Sequence, residues 1–548
     1  MSAAPGGVVE ATFTPAAERR SVLDRAHVGD VEGALGTVSA FDTAPRRSLR
    51  RRLATFLAIL GPGLVVMLAN NDAGGISVYA EAGQVHGTGL LWVLLALAPV
   101  LFINQEMVAR LGAVSGAGHA RLIVERFGRR WGAFALGDLL ALNALTIVTD
   151  FIGLALALGF LGVSRFVAVP IAAALLIAVT AGGSFRRWER TMCVMVAISV
   201  AVVPLALLSH GAGGATSAAA QAPAGGAAPP FLLLVLALAG TTVAPWQFFF
   251  QQSNVVDKRI TPRWLSYERL DTLLGSLLVV LGAVAIMLTC AWAFGGTPLA
   301  GSFGDAGTVA RGLRVTVSPL AGVLFAVVLI NASLLGAAAV TLSSSYAIGD
   351  YFGYRHSLHR GPRDATFFHG SFAAFVLAAA ALVLLPGIPL GLITTGVQAL
   401  AGVLLPSASV FLLLLCNDRD VLGPWVNPRW LNAIGVAVVG ALIALSTTLI
   451  VTTVFPGADA GLVATVLFGA LGAGLVGLAV AFLVRRRPGP AVAWTSSERW
   501  TWTTPPLETL PAPGSSRVRR LALLLLRTQL LIAAGLLVAK LAQLGFGA

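Results

Sequence analysis

The chain has 548 residues, 57% of them hydrophobic and only 11% charged, against about 45–50% and about 25% in an ordinary soluble domain. So apolar a composition excludes a soluble enzyme, a nucleic-acid module, a disulfide-stapled secreted domain and a disordered chain. The 37 Lys and Arg against 24 Asp and Glu, a net +13, suit loops that face anionic lipid rather than nucleic acid. The chain reads as an all-α, multi-pass membrane protein.

Residues 1–53 are polar and Ala/Gly/Pro-bearing, with no early apolar core, and are expected to form a largely disordered cytoplasmic tail without a secretory signal. A spanning helix needs about 20 apolar residues. Such runs fall near 54–80, 88–112, 132–160, 163–182, 191–209, 231–253, 271–295, 320–349, 367–386, 390–415, 431–455 and 461–484. Residues 54–415 therefore hold a ten-span core, and 416–484 hold spans 11 and 12. The stretch AGGATSAAAQAPAGGAAPP before span 6 reads as a flexible outside linker. Residues 485–518, rich in proline from Pro488 to Pro513, read as a cytoplasmic linker. A last apolar run within 519–548, interrupted by Arg527 and Lys540, either crosses the membrane or lies on it. Cys193, Cys290 and Cys416 have neither metal-ligand spacing nor a disulfide pattern.

Basic residues set the orientation. With the N-terminus inside, the inside segments collect Arg46 to Arg52, Arg121 to Arg130, Arg186 to Arg190, Lys258 to Arg269, Arg355 to Arg363, Arg419, Arg429 and Arg485 to Arg487. The outside loops keep only Arg165, Arg311 and Arg314. This is the positive-inside pattern, and it predicts a multi-pass protein of the cell (inner) membrane with a cytoplasmic N-terminus.

Two spans carry helix breakers and polar residues at mid-depth. Span 1 places Asn70, Asn71 and Asp72 before Ala73-Gly74-Gly75, and span 6 places Gly240, Thr241, Thr242 and Pro245 near its middle. An ionised Asp at mid-bilayer costs roughly 2.5–3.5 kcal/mol on insertion scales, so it faces a cavity or a partner. Gly and Pro free backbone carbonyls that only protein or water can satisfy. Two interrupted spans, five apart in order, point to a 5+5 inverted repeat with the site between the broken helices. Asp, Asn and bare carbonyls are hard oxygen ligands suited to a small cation.

These residues resemble a known family. GPGLVVMLANNDAGG, followed by LLWVLLALAPVLFINQEMVARLGAVSG, is similar to the first two spans of the NRAMP divalent-metal transporters. The resemblance implies a LeuT-like (APC-type) fold, with broken spans 1 and 6 and two or three additional C-terminal helices. It places Asp72 at the metal-binding aspartate, the Ala69 and Thr241 carbonyls as backbone ligands, and Gln398 at a glutamine that approaches the ion. The family's Asp-Pro-Gly-Asn is here Asp72-Ala73-Gly74-Gly75, and its Met-Pro-His is Ala244-Pro245-Trp246. Gly75 thus removes an oxygen ligand, and Ala244 removes the thioether that favours transition metals. A wider cavity is expected, suited to Mg²⁺, which sheds its water reluctantly.

Proton coupling is expected to be absent, because Trp246, Gly153 and Asn143 stand where the family has titratable groups, although Asp138 and Asp150 remain. The pattern is closest to the NRAMP-related magnesium transporters. The reading is therefore a carrier of divalent metal ions, Mg²⁺ or else Mn²⁺, with no cofactor and no catalytic residues. Its partners are the ion and the lipid bilayer, not nucleic acid, and a monomer is compatible with the sequence. A proton-coupled Mn²⁺/Fe²⁺ importer and a non-transporting metal sensor or membrane scaffold stay open as alternatives. Among the other polar residues, Glu106 is expected to pair with Arg110, His86 to be solvated and His369 to sit at the interface. Asn331 and Ser343 to Ser345 belong either to the pathway or to helix contacts.

Overall fold

The structure, a computed structural model, describes residues 21–42, 44–211, 231–385, 390–455, 457–484, 494–512, 514 and 519–528. The linker at 212–230, residues 485–493, 513 and 515–518 of the proline-rich stretch, and the run beyond 528 lie outside the described residues, and so does the question of whether that last run crosses the membrane. Among the described residues ten helices are long and apolar enough to span, or eleven if a bent pair counts as one.

Span 1 is three helices rather than one: α1 (Leu49–Ile59), α2 (Pro62–Ala69) and α3 (Ala73–His86). The first break, a 49° bend, comes from Gly61-Pro62. Proline at the first helical position loses nothing by lacking an N–H. Gly61 takes φ +152°, and a Cβ there would lie 2.0 Å from Glu189 Oε1. Spans 2 and 3 are α4 (Leu91–Ser115) and α6 (Arg129–Phe160), joined by the short α5 (His119–Phe127). Span 4 is α7 (Arg165–Thr180), and span 5 joins α8 (Phe185–Ile198) to α9 (Val202–Ser209).

Span 6 is broken into α10 (Phe231–Thr242) and α11 (Pro245–Asp257). Span 7 is α12 (Leu265–Phe294); α13 (Ala306–Thr316) lies in the following loop; spans 8, 9 and 10 are α14 (Pro319–Phe352), α15 (Thr366–Leu384) and α16 (Leu390–Leu415). After the four-residue α17 (Arg419–Leu422) come α18 (Arg429–Val454) and α19 (Ala460–Val484), at the places expected for spans 11 and 12, and then the short α20 (Ser496–Thr501). Residues 519–528 are helical.

Two groups of helices emerge from the packing. Span 7 lies against α2, α3 and α4, and α11 lies on α4; separately, α14 runs along α6, and α15 covers α6 and α7. Two apolar clusters fill the interior, one holding Ala69, Trp188, Trp246 and Tyr346, the other Ala73, Ile76, Phe294 and Phe325. The break of span 1 falls where these clusters meet, since Ala69 belongs to one and Ala73 to the other.

The N-terminal expectation needs correction. Residues 1–20 lie outside the described set, but Ser21 to Val38 pack against the bundle. Val31–Gly33 and Gly36–Val38 form an antiparallel hairpin, β1 and β2, with Val31 opposite Val38. This segment crosses one end of the bundle. Arg121 donates to the Ser21 carbonyl (3.0 Å), Arg259 to those of Ala26 (2.9 Å) and Asp30 (3.2 Å), and Arg190 to that of Ala34 (3.0 Å). Arg360 pairs with Asp24 at 3.2 Å, and the His27 imidazole holds the Asp24 carboxyl well below the usual carboxylate range against the opposing pull of burial. Charged side chains supplied the order that an apolar-run reading of the sequence could not see. Every one of these arginines comes from a loop that the charge pattern assigned to one side.

Candidate metal centre

The two breaks expose carbonyls for local chemical reasons. Asp72 has an extended backbone and caps α3, its Oδ1 accepting the Gly75 N–H at 2.7 Å. The Ala73 N–H goes to Asp150 Oδ1 at 3.2 Å, while the Asn70 and Asn71 N–H groups return to Met67 and Leu68. No backbone N–H among the described residues is left for the Ala69 carbonyl. In span 6, Pro245 has no N–H to return to the Thr241 carbonyl four residues earlier. The Ala244 N–H, which would serve Gly240, donates instead to Gln247 Oε1 at 2.9 Å. Asn70 ties the breaks together, its side-chain amide donating to the Thr242 carbonyl at 2.9 Å.

Around Asp72 the expected residues converge. A Cβ on Gly74 would lie 1.9 Å from Gln398 Nε2 and 3.2 Å from Asp72 Oδ1; one on Gly75 would lie 2.8 Å from Thr241 Oγ1 and 3.4 Å from Asp72 Oδ1. Asp72, Gly75, Thr241 and Gln398 therefore share one small volume, with Ala69 closing α2 beside it and Ala244 capping α11. Asp72 is 3% exposed, and no ion pair reaches it among the described residues. The wider cavity expected from the small residues is not present in this conformation. The Thr241 hydroxyl and the Gln398 amide occupy the room that the glycines leave.

One residue beside Asp72 was not in the expected set. Asp150, in α6, also caps α3, and its Oδ2 is buried with no hydrogen-bond partner among the described residues. A Cβ on Gly336 of α14 would sit 2.6 Å from Asp72 Cβ and 3.0 Å from both Asp150 oxygens. The Asp72 side chain and the Asp150 carboxylate thus both pack against Gly336. Two charges of one sign in an apolar interior are costly without a counter-charge. Gln398 Nε2 is likewise unpartnered among the described residues. The available signal for Asp150 was a mid-span acid; for Gly336, inside the run LLGAAAV, there was none.

Among the described residues no three His, Cys, Asp or Glu side chains are grouped to hold a metal. An ion here would rest on carboxylate, carbonyl and amide oxygens, the donor set of a hard cation.

The other polar residues have plain partners. Glu106 forms the expected ion pair with Arg110 (3.2 Å) and accepts a hydrogen bond from Arg269 (2.7 Å). His86 is half-buried with its ring edge-on to Phe231 at 5.7 Å, not solvated. His369 holds the Arg360 carbonyl at 2.9 Å. Asn331 bonds the Met195 carbonyl and Ser199, and Ser343 bonds the Trp246 carbonyl, so these serve helix contacts.

Known proteins fit this geometry. Residues 63–452 match the family described as natural resistance-associated macrophage protein-like, Nramp. The chain is 27% identical over 428 residues to the divalent metal cation transporter MntH of Deinococcus radiodurans, covering 74% of this chain and 91% of that one. It is 27% identical over 415 residues to MntH 1 of Pseudomonas aeruginosa, covering 73% and 92%. A solved structure of the Eremococcus coleocola manganese transporter, in complex with an aromatic bis-isothiourea substituted compound, superposes with TM-score 0.59 at 19% identity. It covers 82% of this chain and 99% of that one, and the fold is the LeuT-like 5+5 arrangement that the broken spans implied. With the family match running across most of its length, the chain belongs to the Nramp family.

Proposed function

We propose that the protein carries a divalent metal cation through the membrane by alternating access, with Asp72 as the fixed charge that holds it. The observation that carries this reading is the buried Asp72 carboxylate at the break of span 1, beside Thr241 at the break of span 6 and free of any basic partner among the described residues. The relatives named divalent metal cation transporters support the same class of cargo. The basic end of the bundle, with the N-terminal segment, faces the cytoplasm. Rocking of the group built on spans 1, 2, 6 and 7 against the group built on spans 3 and 8 opens the site to each side in turn.

The finer reading favours Mg²⁺ without proton coupling. It rests on Ala244, which offers no soft donor, and on Trp246, Gly153 and Asn143, which offer no titratable group. Proton-coupled Mn²⁺ import is the second reading. In its favour are the manganese transporter among the structural neighbours and Asp150, an acid beside Asp72 with one free oxygen.

A metal panel in proteoliposomes with simultaneous pH recording separates the two. Mg²⁺ flux without acid movement supports the first; Mn²⁺ selectivity over millimolar Mg²⁺, with acidification that scales with flux, supports the second. Asp72→Ala abolishes flux at unchanged expression, and wild-type flux in that variant rejects the assignment of the site.

A further inference from the structure

On the outward side of Asp72, α3 carries a second buried acid. Gly74, Ser77 and Glu81 lie at helical spacing on one stripe of α3. That stripe faces span 10, because Gln398 abuts Gly74 and Thr395 Oγ1 donates to Glu81 Oε2 at 2.8 Å. Seven residues at 1.5 Å rise put Glu81 about 10 Å beyond Gly74 along the axis. Glu81 is 4% exposed, and no ion pair reaches it among the described residues.

One turn below Glu81 a crevice too narrow in this conformation for water lies between Ser77, Gly153, Thr394 and the loop residues Phe303 and Asp305. Ser77 returns its hydroxyl to the Ala73 carbonyl at 2.8 Å, so the foot of this cleft adjoins the first turn of α3 above Asp72. Asp305, at the cleft's loop side, caps α13 through the Thr308 N–H at 2.6 Å. The crevice thus has loop residues Phe303 and Asp305 at one side and Ser77 of α3 at the other.

An acid held inside a span by one neutral hydroxyl is costly, and such residues characteristically line an ion pathway or a cavity. We propose that Glu81 is a staging ligand for the incoming divalent cation. When α3 and span 10 part on their outer side, the Thr395 bond is released and the carboxylate faces the entry. It holds the hydrated dication and hands it inward along the stripe to Asp72. This inference rests on the transport reading above.

The test is uptake kinetics for Mg²⁺ and Mn²⁺ in proteoliposomes at low ionic strength. Glu81→Gln keeps an acceptor for Thr395 and removes the charge; it raises KM by on the order of tenfold at unchanged maximal rate. Glu81→Asp restores most of the affinity. Thr395→Val, which removes the hydrogen bond and leaves the charge, keeps KM low. A wild-type KM in Glu81→Gln, or equal KM increases in Glu81→Gln and Thr395→Val, overturns the proposal.

If Glu81→Gln does not reach the membrane, Glu81→Cys labelled from outside reads the same charge. An anionic adduct keeps KM low and a cationic adduct raises it, and equal values overturn the proposal. If the wild-type protein moves neither ion, the transport reading falls. If it moves them and Asp72→Ala does not, while Glu81→Gln behaves as wild type, only the staging role falls.

Discussion

At the scale of single residues, the proposed ion centre is defined as much by what is missing as by what is present. Ala244 opens α11 with an extended backbone and is 4% exposed. The resemblance to Nramp transporters puts a methionine thioether at this position. Ala244→Met restores a soft donor and shifts selectivity towards Mn²⁺ over Mg²⁺, by on the order of tenfold or about 1.4 kcal/mol. Competition between the two ions in a flux assay checks it, and an unchanged ratio removes Ala244 from the selectivity argument. Asp72 was legible in the sequence because an acid among small residues in mid-span has few other uses. The proximity of Asp150 was not, because 77 residues separate it from Ala73, whose N–H it accepts, and only the packing of α3 on α6 closes that distance.

At the scale of elements, the bent start of span 1 is pinned from three sides. Lys258 donates to the Ile59 (2.8 Å) and Leu60 (2.9 Å) carbonyls and to Glu189 Oε1 (2.6 Å). Glu189 Oε2 accepts the Ala34 N–H at 2.6 Å. Asp271 takes the N–H groups of Gly61, Gly63 and Leu64, the orphan donors of the first turn of α2. Lys258 and Glu189 are both fully buried, so removing one partner leaves a stranded charge worth about 3–5 kcal/mol. Lys258→Met lowers the thermal stability of the purified protein accordingly, and adding Glu189→Gln recovers most of the loss. A double variant as unstable as the single one shows that the charge balance is not what matters.

The loop after span 8 carries a pH-dependent tie. His356 Nε2 lies 3.2 Å from Asp350, and its Nδ1 lies 2.8 Å from the Tyr354 carbonyl, an arrangement that uses both ring protons. Burial pulls this imidazole down, but the hydrogen bond and charge of Asp350 outweigh it and hold it above the ordinary 6.5. The tie is complete below pH 6.5 and is lost as pH rises through the raised value. The stability advantage of wild type over His356→Gln is therefore largest in mild acid and shrinks towards alkaline pH. Burial lowers the neighbouring His359, an effect of opposite sign that is common to both proteins and cancels in the difference. A gap in melting temperature that is flat with pH contradicts the assignment.

At the scale of the molecule, a carrier of a divalent ion needs no second ion. An inside-negative potential of ~100 mV is worth about 4.6 kcal/mol for two charges, more than a thousandfold at about 1.4 kcal/mol per decade. On the uncoupled reading proposed above, accumulation follows an imposed potential and vanishes when the potential is clamped at zero, whatever the pH gradient. Accumulation driven by a pH gradient alone, read with a metal-sensitive dye, overturns the uncoupled reading.

The helical spans and the broken pair were legible because each follows from local facts: about 20 apolar residues to cross, glycine and proline to break. Asp72, Thr241 and Gln398 were reachable for the same reason, since their neighbours in the chain carry the resemblance. What only the tertiary structure decided are the relations between distant residues. Asp150 lies beside Asp72, Glu81 meets Thr395, and Ser21 to Val38 fold under arginines of four separate loops. Hydropathy reports what a residue avoids, not which partner it finds, so a polar segment ordered by hydrogen bonds and a polar segment left in water look the same until the helices are packed.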